Sequence, residues 1–315
     1  MRPTCSATWQ SSWHGQLSWL AAAAVIGCGR QDGVVGRNFP SDAATNASVF
    51  KSEFVSNDGV WSIETGFAAA SVDFGRSDPN ARDGRVAELR FPGNASLGAT
   101  DGAGPAYVTQ LSTLARFHFG TLRTRVSFGS CAASEEVVHA VLGYFNDGTD
   151  SDANGLCDNI EIDLQVSCGT PQYAYLTVFT DYQETANAVR FRKLSHLVDF
   201  SSGTEYDTPA DNSDQFVASG TNPKLLRPNL VKANHYYELG YEWHRDSIRF
   251  FILDDTDELT LWTLSDATHV PQLPVYLMYN VWHPETHWFP ATGAADFPAN
   301  DVLMRVDWVE FVADG

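Results

Sequence analysis

An all-β sandwich or jelly roll is the fold class this sequence predicts, and three observations predict it. Short runs rich in β-branched and aromatic residues recur from Phe54 to the end of the chain, separated by Gly, Asn and Asp turns. Almost no segment carries the 3.6-residue apolar period of a helix. The stretch from Asp158 to Cys168 alternates strictly, with Glu161, Asp163 and Gln165 on one face and Ile162, Leu164 and Val166 on the other. Asp and Glu are depleted in strands, so two carboxylates side by side over a wholly apolar back require a reason. A polar strand face turned to water is one reason, and a row of carboxylates on the floor of a sugar-binding cleft is another.

The chain has 315 residues, 39 of them acidic and 20 basic, for a formal charge of -19. So negative a protein repels nucleic acid and anionic lipid, which leaves neutral ligands as natural partners. Nine Trp, 11 Tyr and 19 Phe supply flat rings suited to sugar faces, although a large β core itself needs most of them.

At the N-terminus, the apolar run Leu17 to Gly27 is too short to span a bilayer and is followed by polar sequence, so residues 1–28 read as a signal segment. Val25-Ile26-Gly27-Cys28 resembles the bacterial lipobox, in which the cysteine receives lipid, although only Arg2 is reliably positive before the run. The expectation is an exported protein, either a cell-envelope lipoprotein that touches membrane only through a lipid anchor at Cys28 or an extracellular one. Residues 29–51 are rich in Gly, Asn, Ala and Ser without apolar periodicity, the composition of a flexible linker. No linker divides residues 52–315, which read as one domain.

Within that domain the strand-like runs include Gly120 to Phe128, Val137 to Phe145, Ala174 to Phe179, Tyr236 to Trp243, Ser247 to Leu253, Val275 to Trp282 and Met304 to Val312. With Cys5 removed and Cys28 lipidated, Cys131, Cys157 and Cys168 remain, and one bridge among them is expected with its pairing open. The loop from Asp150 to Glu161 matches the EF-hand calcium pattern, which makes Asp150, Asp152 and Asn154 candidate ligands of a structural Ca2+. No amphipathic helix flanks it, so an Asx-rich turn is the alternative. His139, alone among Val and Ala, is expected to be a hydrogen-bonded buried residue.

Taken together, these motifs resemble those of glycoside hydrolase family 16, whose members include laminarinases, lichenases and agarases. Glu161-Ile162-Asp163-Leu164 matches the start of the family's Glu-x-Asp-x-Glu strand. Phe119 to Val126 resembles its aromatic-Gly strand with a distal Arg, Tyr237 to Trp243 its Glu-Trp hairpin, Pro274 to Trp282 the strand carrying a cleft Asn and Trp, and Val306 to Val309 the closing strand. The resemblance covers residues 52–315. It implies a concanavalin A-like jelly roll of two packed antiparallel sheets with a concave cleft. It also implies retaining hydrolysis of a β-linked polysaccharide such as a β-glucan or β-galactan, with no cofactor required. By position, Glu161 would be the nucleophile and Asp163 its support.

The acid/base position falls on Gln165, and a neutral amide neither delivers nor removes a proton near pH 7. Asp181, where many members carry a cleft His, is the candidate substitute acid. Arg125, Asn280, Trp282, Tyr182 and Trp288 are the candidate sugar contacts. Gln165 leaves an alternative standing: a carbohydrate-binding relative that kept the cleft and lost the chemistry.

Overall fold

Strict alternation becomes geometry in the computed structural model of the chain. Ile160, Ile162, Leu164 and Val166 enter the main hydrophobic core, and Glu161, Asp163 and Gln165 take the opposite face of the strand. The structure describes residues 48–66, 69–97, 108–146, 149–150, 156–170, 172–185, 188–211, 213–226, 235–254, 257–284 and 286–314, side chains of 97, 182–191 and 254 excepted. The signal segment, Cys28 and the linker to residue 47 lie outside them.

The strands are β1 Val49–Ser52, β2 Trp61–Thr65, β3 Ser71–Ser77, β4 Arg85–Phe91, β5 Val108–Phe117, β6 Gly120–Ser127, β7 Val138–Phe145, β8 Cys157–Ser167, β9 Tyr173–Thr185, β10 Ala188–Asp199, β11 Thr204–Asp207, β12 Val217–Thr221, β13 Tyr237–Trp243, β14 Ile248–Asp254, β15 Asp257–Leu264, β16 Val275–Trp282 and β17 Val302–Ala313. One sheet runs β15-β14-β13-β6-β17-β4-β3, with β1 also joined to β17. The other runs β12-β11-β10-β9-β8-β7-β16-β5-β2. Pairing within both is antiparallel, and the stretch the sequence singled out, β8, is the central strand of the nine.

The inner faces of the two sheets share one core. Leu122, Val126, Leu239, Tyr241, Trp243 and Phe250 from one sheet join Ile162, Leu164, Leu176, Val178, Leu277 and Tyr279 from the other. Burial of each such side chain is worth about 1.5–3 kcal/mol, which is why β8 cannot slip by one residue without exposing its apolar row. The Tyr279 hydroxyl donates to Thr124 Oγ1 at 2.8 Å and ties the sheets together through a buried polar contact. Gly143 makes room for this packing, because a Cβ there would stand 2.7 Å from Val275 Cγ2 and 2.9 Å from the Tyr241 hydroxyl.

Two expectations change here. Val49–Ser52 is strand β1, paired with β17 from Val49 opposite Val312 to Ser52 opposite Val309, so the domain begins before residue 52. Polar composition hid this because β1 is a short strand whose pairing partner lies at the other end of the chain. The open cysteine pairing resolves as Cys131–Cys168, with Cα atoms 5.5 Å apart, binding the segment before β7 to the end of β8; Cys157 is disulfide-bonded as well, so it is not the free thiol that an odd count of three predicts. Closing the Cys131–Cys168 loop lowers the entropy of the unfolded chain by about 3–4 kcal/mol in free-energy terms.

Candidate active site

Register places the polar row of β8 among neighbours the sequence could not supply. Directly opposed residues of paired strands share a face, so three rows cross the sheet. The first runs Gln110, Asn280, Ala140, Gln165, Tyr175. The second runs Ser112, Met278, Leu142, Asp163, Thr177, Ser195. The third runs Tyr276, Tyr144, Glu161, Phe179, Lys193. Glu161, Asp163 and Gln165 therefore sit at the middle of the sheet face that points away from the core.

The two carboxylates are 5% and 3% exposed. Burial disfavours the charged form and pushes Glu161 up to about 7, against hydrogen bonds from Asn159 and Asp163 and the positive charge of Lys193, which pull it down. Asn159 Nδ2 donates to Glu161 Oε1 at 3.2 Å. Asp163 is raised well above the usual carboxylate range by burial, by the charge of Glu161 and by the hydrogen bond between them. Of these two buried carboxyls in contact, Glu161 ionises first as the pH rises through about 7, and Asp163 keeps its proton longer. Asp163 Oδ1 is buried with no hydrogen-bond partner among the described residues. Such an orphaned oxygen in a perturbed pair marks a functional site more often than a structural one.

One end of this face is closed by aromatic packing. Val138, Tyr173, Tyr175, Leu197, Trp282 and Trp288 form a separate cluster. Trp288 meets Tyr175 edge-on at 4.7 Å and Trp282 at 5.7 Å. Glu136, fully buried, anchors the segment that follows β16: its carboxylate accepts from the Ser167 hydroxyl, from His287 Nδ1 at 2.6 Å and from the Trp288 backbone N–H at 3.3 Å. Burial raises Glu136, and those three partners oppose the rise.

The sequence-derived residues divide accordingly. Glu161, Asp163, Gln165 and Asn280 share one sheet face, and Asn280 Oδ1 is buried without a partner among the described residues. Trp282 and Trp288 lie beside them but are buried in the aromatic cluster, so they shape the wall and offer no free ring face. Arg125 is elsewhere. Leu122, Thr124 and Val126 take the inner positions of β6, which turns Arg125 to the outer face of the other sheet; there it pairs with Asp307 and covers the Tyr236 ring at 4.6 Å. The alternation of β6 is unambiguous, but sequence does not say which sheet a strand joins.

Asp181 lies on β9 opposite Asp158, separated from Glu161 by a register shift, and is ion-paired to Arg192 at 3.5 Å. A proton donor at this position would first have to leave that pair. Tyr182 is in β9 opposite Cys157, with its side chain outside the described residues. Of the calcium candidates, Asp152 and Asn154 lie outside the described residues and Asp150 at their edge. Glu161, the twelfth position of that loop, is committed to the acid pair.

His139 is buried as expected, with Nδ1 donating to Val166 O at 3.3 Å and Nε2 accepting from Gly129 N at 3.1 Å; burial pushes it down to about 4, so it is neutral. Sequence reasoning missed Lys193 and Glu136. Lys193 follows two other basic-strand residues and looks like a solvated position until its register beside Phe179 is known. Glu136 precedes a strand by two residues and gave no signal at all.

No protein-family model matches the chain, and no curated protein sequence matches it. Solved structures do. A native glycosidic hydrolase aligns with TM-score 0.51 at 12% identity, over 87% of this chain and 99% of its own. LamAcat from Zobellia galactanivorans aligns with TM-score 0.50 at 16% identity, over 85% of this chain and 98% of its own. The fold is the β-jelly roll seen in these proteins. At such identities the likeness is one of backbone, and the chemistry of this jelly roll has to come from its own residues.

Proposed function

We propose that this protein is a glycoside hydrolase of family 16 type, acting on a β-linked polysaccharide such as a β-glucan or β-galactan through a covalent glycosyl-enzyme intermediate. The observation that carries the reading is the buried, hydrogen-bonded Glu161–Asp163 pair at the middle of the sheet face away from the core. Glu161 attacks the anomeric carbon, forming a C–O bond as the bond to the leaving oxygen breaks; the leaving oxygen takes its proton from solvent, and water then cleaves the glycosyl ester, releasing the sugar with a hydroxyl and returning Glu161 to a carboxylate. Asp163 keeps its proton and donates a hydrogen bond to Glu161, which holds the nucleophile in place. A carboxylate pair of this kind needs no cofactor for that step. Export, with lipid at Cys28, belongs to the same reading and is supported by the apolar run that ends there.

Gln165 is one position further along the polar row and can hydrogen-bond the leaving oxygen without protonating it. It favours a second reading, a protein that binds glycan and turns it over poorly or not at all. An aryl β-glycoside with a dinitrophenolate leaving group separates the two, because that leaving group departs without a proton. The expected result is a burst of dinitrophenolate with glycosyl mass recovered on the Glu161 peptide, absent in Glu161→Gln. Gln165→Glu is expected to raise turnover of unactivated glycan by about 10²–10⁴. Glycan binding without labelling by gluco- or galacto-configured probes would overturn the enzymatic reading in favour of the second.

A further inference from the structure

Lys193 is the buried cation on the row of Glu161, and the proposed chemistry does not yet use it; Arg116 of β5, opposite Tyr276, lies at the far end of that row with its guanidinium over the Phe145 ring. Lys193 is 2% exposed. Its ammonium is ion-paired to Asp214 and lies 5.8 Å from the Phe179 ring centre. Phe179 stands directly opposite both Lys193 on β10 and Glu161 on β8, so the three share one row on one face. Two strand spacings separate the Lys193 and Glu161 backbones by roughly 10 Å, within the combined reach of the two side chains. The other groups on that side of Glu161 are Asn159 and Asp163 along β8, Tyr144 and Tyr276 across β7 and β16, and beyond them Arg116 of β5, opposite Tyr276. Asp181, further along β9, is paired with Arg192 of β10.

A buried ammonium is costly unless anions compensate it, and a buried carboxyl pair is costly to ionise unless a cation does. Each supplies what the other lacks. We infer that Lys193 is a positioning residue for Glu161: its ammonium, shared with Asp214, directs ionisation of the acid pair to Glu161 and leaves the remaining proton on Asp163. The inference rests on the reading of Glu161 as nucleophile. Asp214 competes with Glu161 for the same charge, so the Lys193–Asp214 pair sets how much of it Glu161 feels. A merely structural ion pair would lack that competition.

The test follows Glu161 by carboxyl-carbon NMR titration of the full chain, a readout that does not depend on turnover. Lys193→Met is expected to raise the Glu161 midpoint by about 1 pH unit or more. Lys193→Met/Asp214→Asn, which leaves no unpaired charge, is expected to raise it similarly and covers the case in which the single variant fails to fold. Lys193→Arg is expected to keep the midpoint near that of the unmodified chain. Asp214→Asn is expected to lower it, because the ammonium then acts on Glu161 alone. A midpoint unmoved in both methionine variants, or raised in Asp214→Asn as it is in Lys193→Met, overturns the inference. Labelling by the dinitrophenyl glycoside runs in parallel: if no variant labels while the midpoint moves as stated, the nucleophile reading fails and the role of Lys193's charge stands. Labelling at Glu161 with an unmoved midpoint gives the reverse.

Discussion

Two groups of strand carboxylates in this molecule look alike in sequence and behave in opposite ways. On the face of β8, Glu161 and Asp163 are pushed up by burial; hydrogen bonds from Asn159 and Asp163, and then the charge of Lys193, oppose the rise of Glu161. On the outer face of the other sheet, Glu242 of β13 is held low by its hydrogen bond to Arg249. Glu258 of β15 is also held low, where bonds from Arg249 and Arg123 overcome the effect of burial. Each set alternates with apolar residues along its strand. What differs is the number of guanidinium groups within reach and the access of water. A carboxylate in a strand therefore says little about its charge until the neighbouring strands are known.

The largest consequence is a pH dependence of stability with an unusual sign. An ordinary glutamate loses its proton near 4.5, whereas Glu161 keeps its own up to about 7. Between these values the folded chain binds more protons than the unfolded chain, so stability falls as pH rises through the window. The loss attributable to Glu161 alone is on the order of 3 kcal/mol, and the raised Asp163 adds to it in the same direction. Urea unfolding of Glu161→Gln/Asp163→Asn is expected to lack this decline, leaving the variant more stable than the parent above pH 7. Parallel stability curves for the two proteins would remove the contrast between the two groups.

A second expected effect, about 2 kcal/mol, concerns the outer face alone. Among the described residues, Arg125→Met leaves buried Asp307 with the Arg82 backbone N–H at 2.9 Å as its remaining partner. The cost falls below that of breaking a fully buried pair because the Arg125 side chain is 23% exposed. Chemical denaturation should show the loss, while labelling at Glu161 should proceed at the parent rate. A loss of labelling with unchanged stability would return Arg125 to the site.

How much of this was legible in the chain follows from which interactions are local. Alternation along 160–166 fixed the faces of β8, because period two is a property of one strand. The order of strand-like runs carried the fold class for the same reason. Sheet membership is not local: β6 neighbours β13 and β17, more than a hundred residues away, and so Arg125 was assigned to a cleft it does not face. Lys193 became visible only through the register that sets it opposite Phe179. Trp282 and Trp288 lie beside the polar face of β8, but whether a ring there is open to a sugar or packed on another ring depends on the segment after β16 that Glu136 anchors.

The smallest effect sharpens the contrast by its sign. Arg249 Nε donates to Glu242 Oε2 at 2.8 Å and Nη2 to Glu258 Oε1 at 2.8 Å, with all three side chains between a quarter and a third exposed. Water and salt weaken such pairs, so Arg249→Met should cost about 1 kcal/mol at neutral pH. Both glutamates sit below their ordinary 4.5 in the folded chain. Their contribution is therefore complete above that value and disappears as pH falls through the folded ones. Unfolding measured at neutral pH and again well below 4.5 should show the difference between Arg249→Met and its parent shrinking toward zero in acid. The acid pair of β8 gives the opposite trend, with its penalty appearing as pH rises. If removing Arg249 cost as much in acid as at neutrality, its role would be packing over the Phe251 ring, 5.1 Å away, and charge pairing would not explain why these glutamates differ from Glu161.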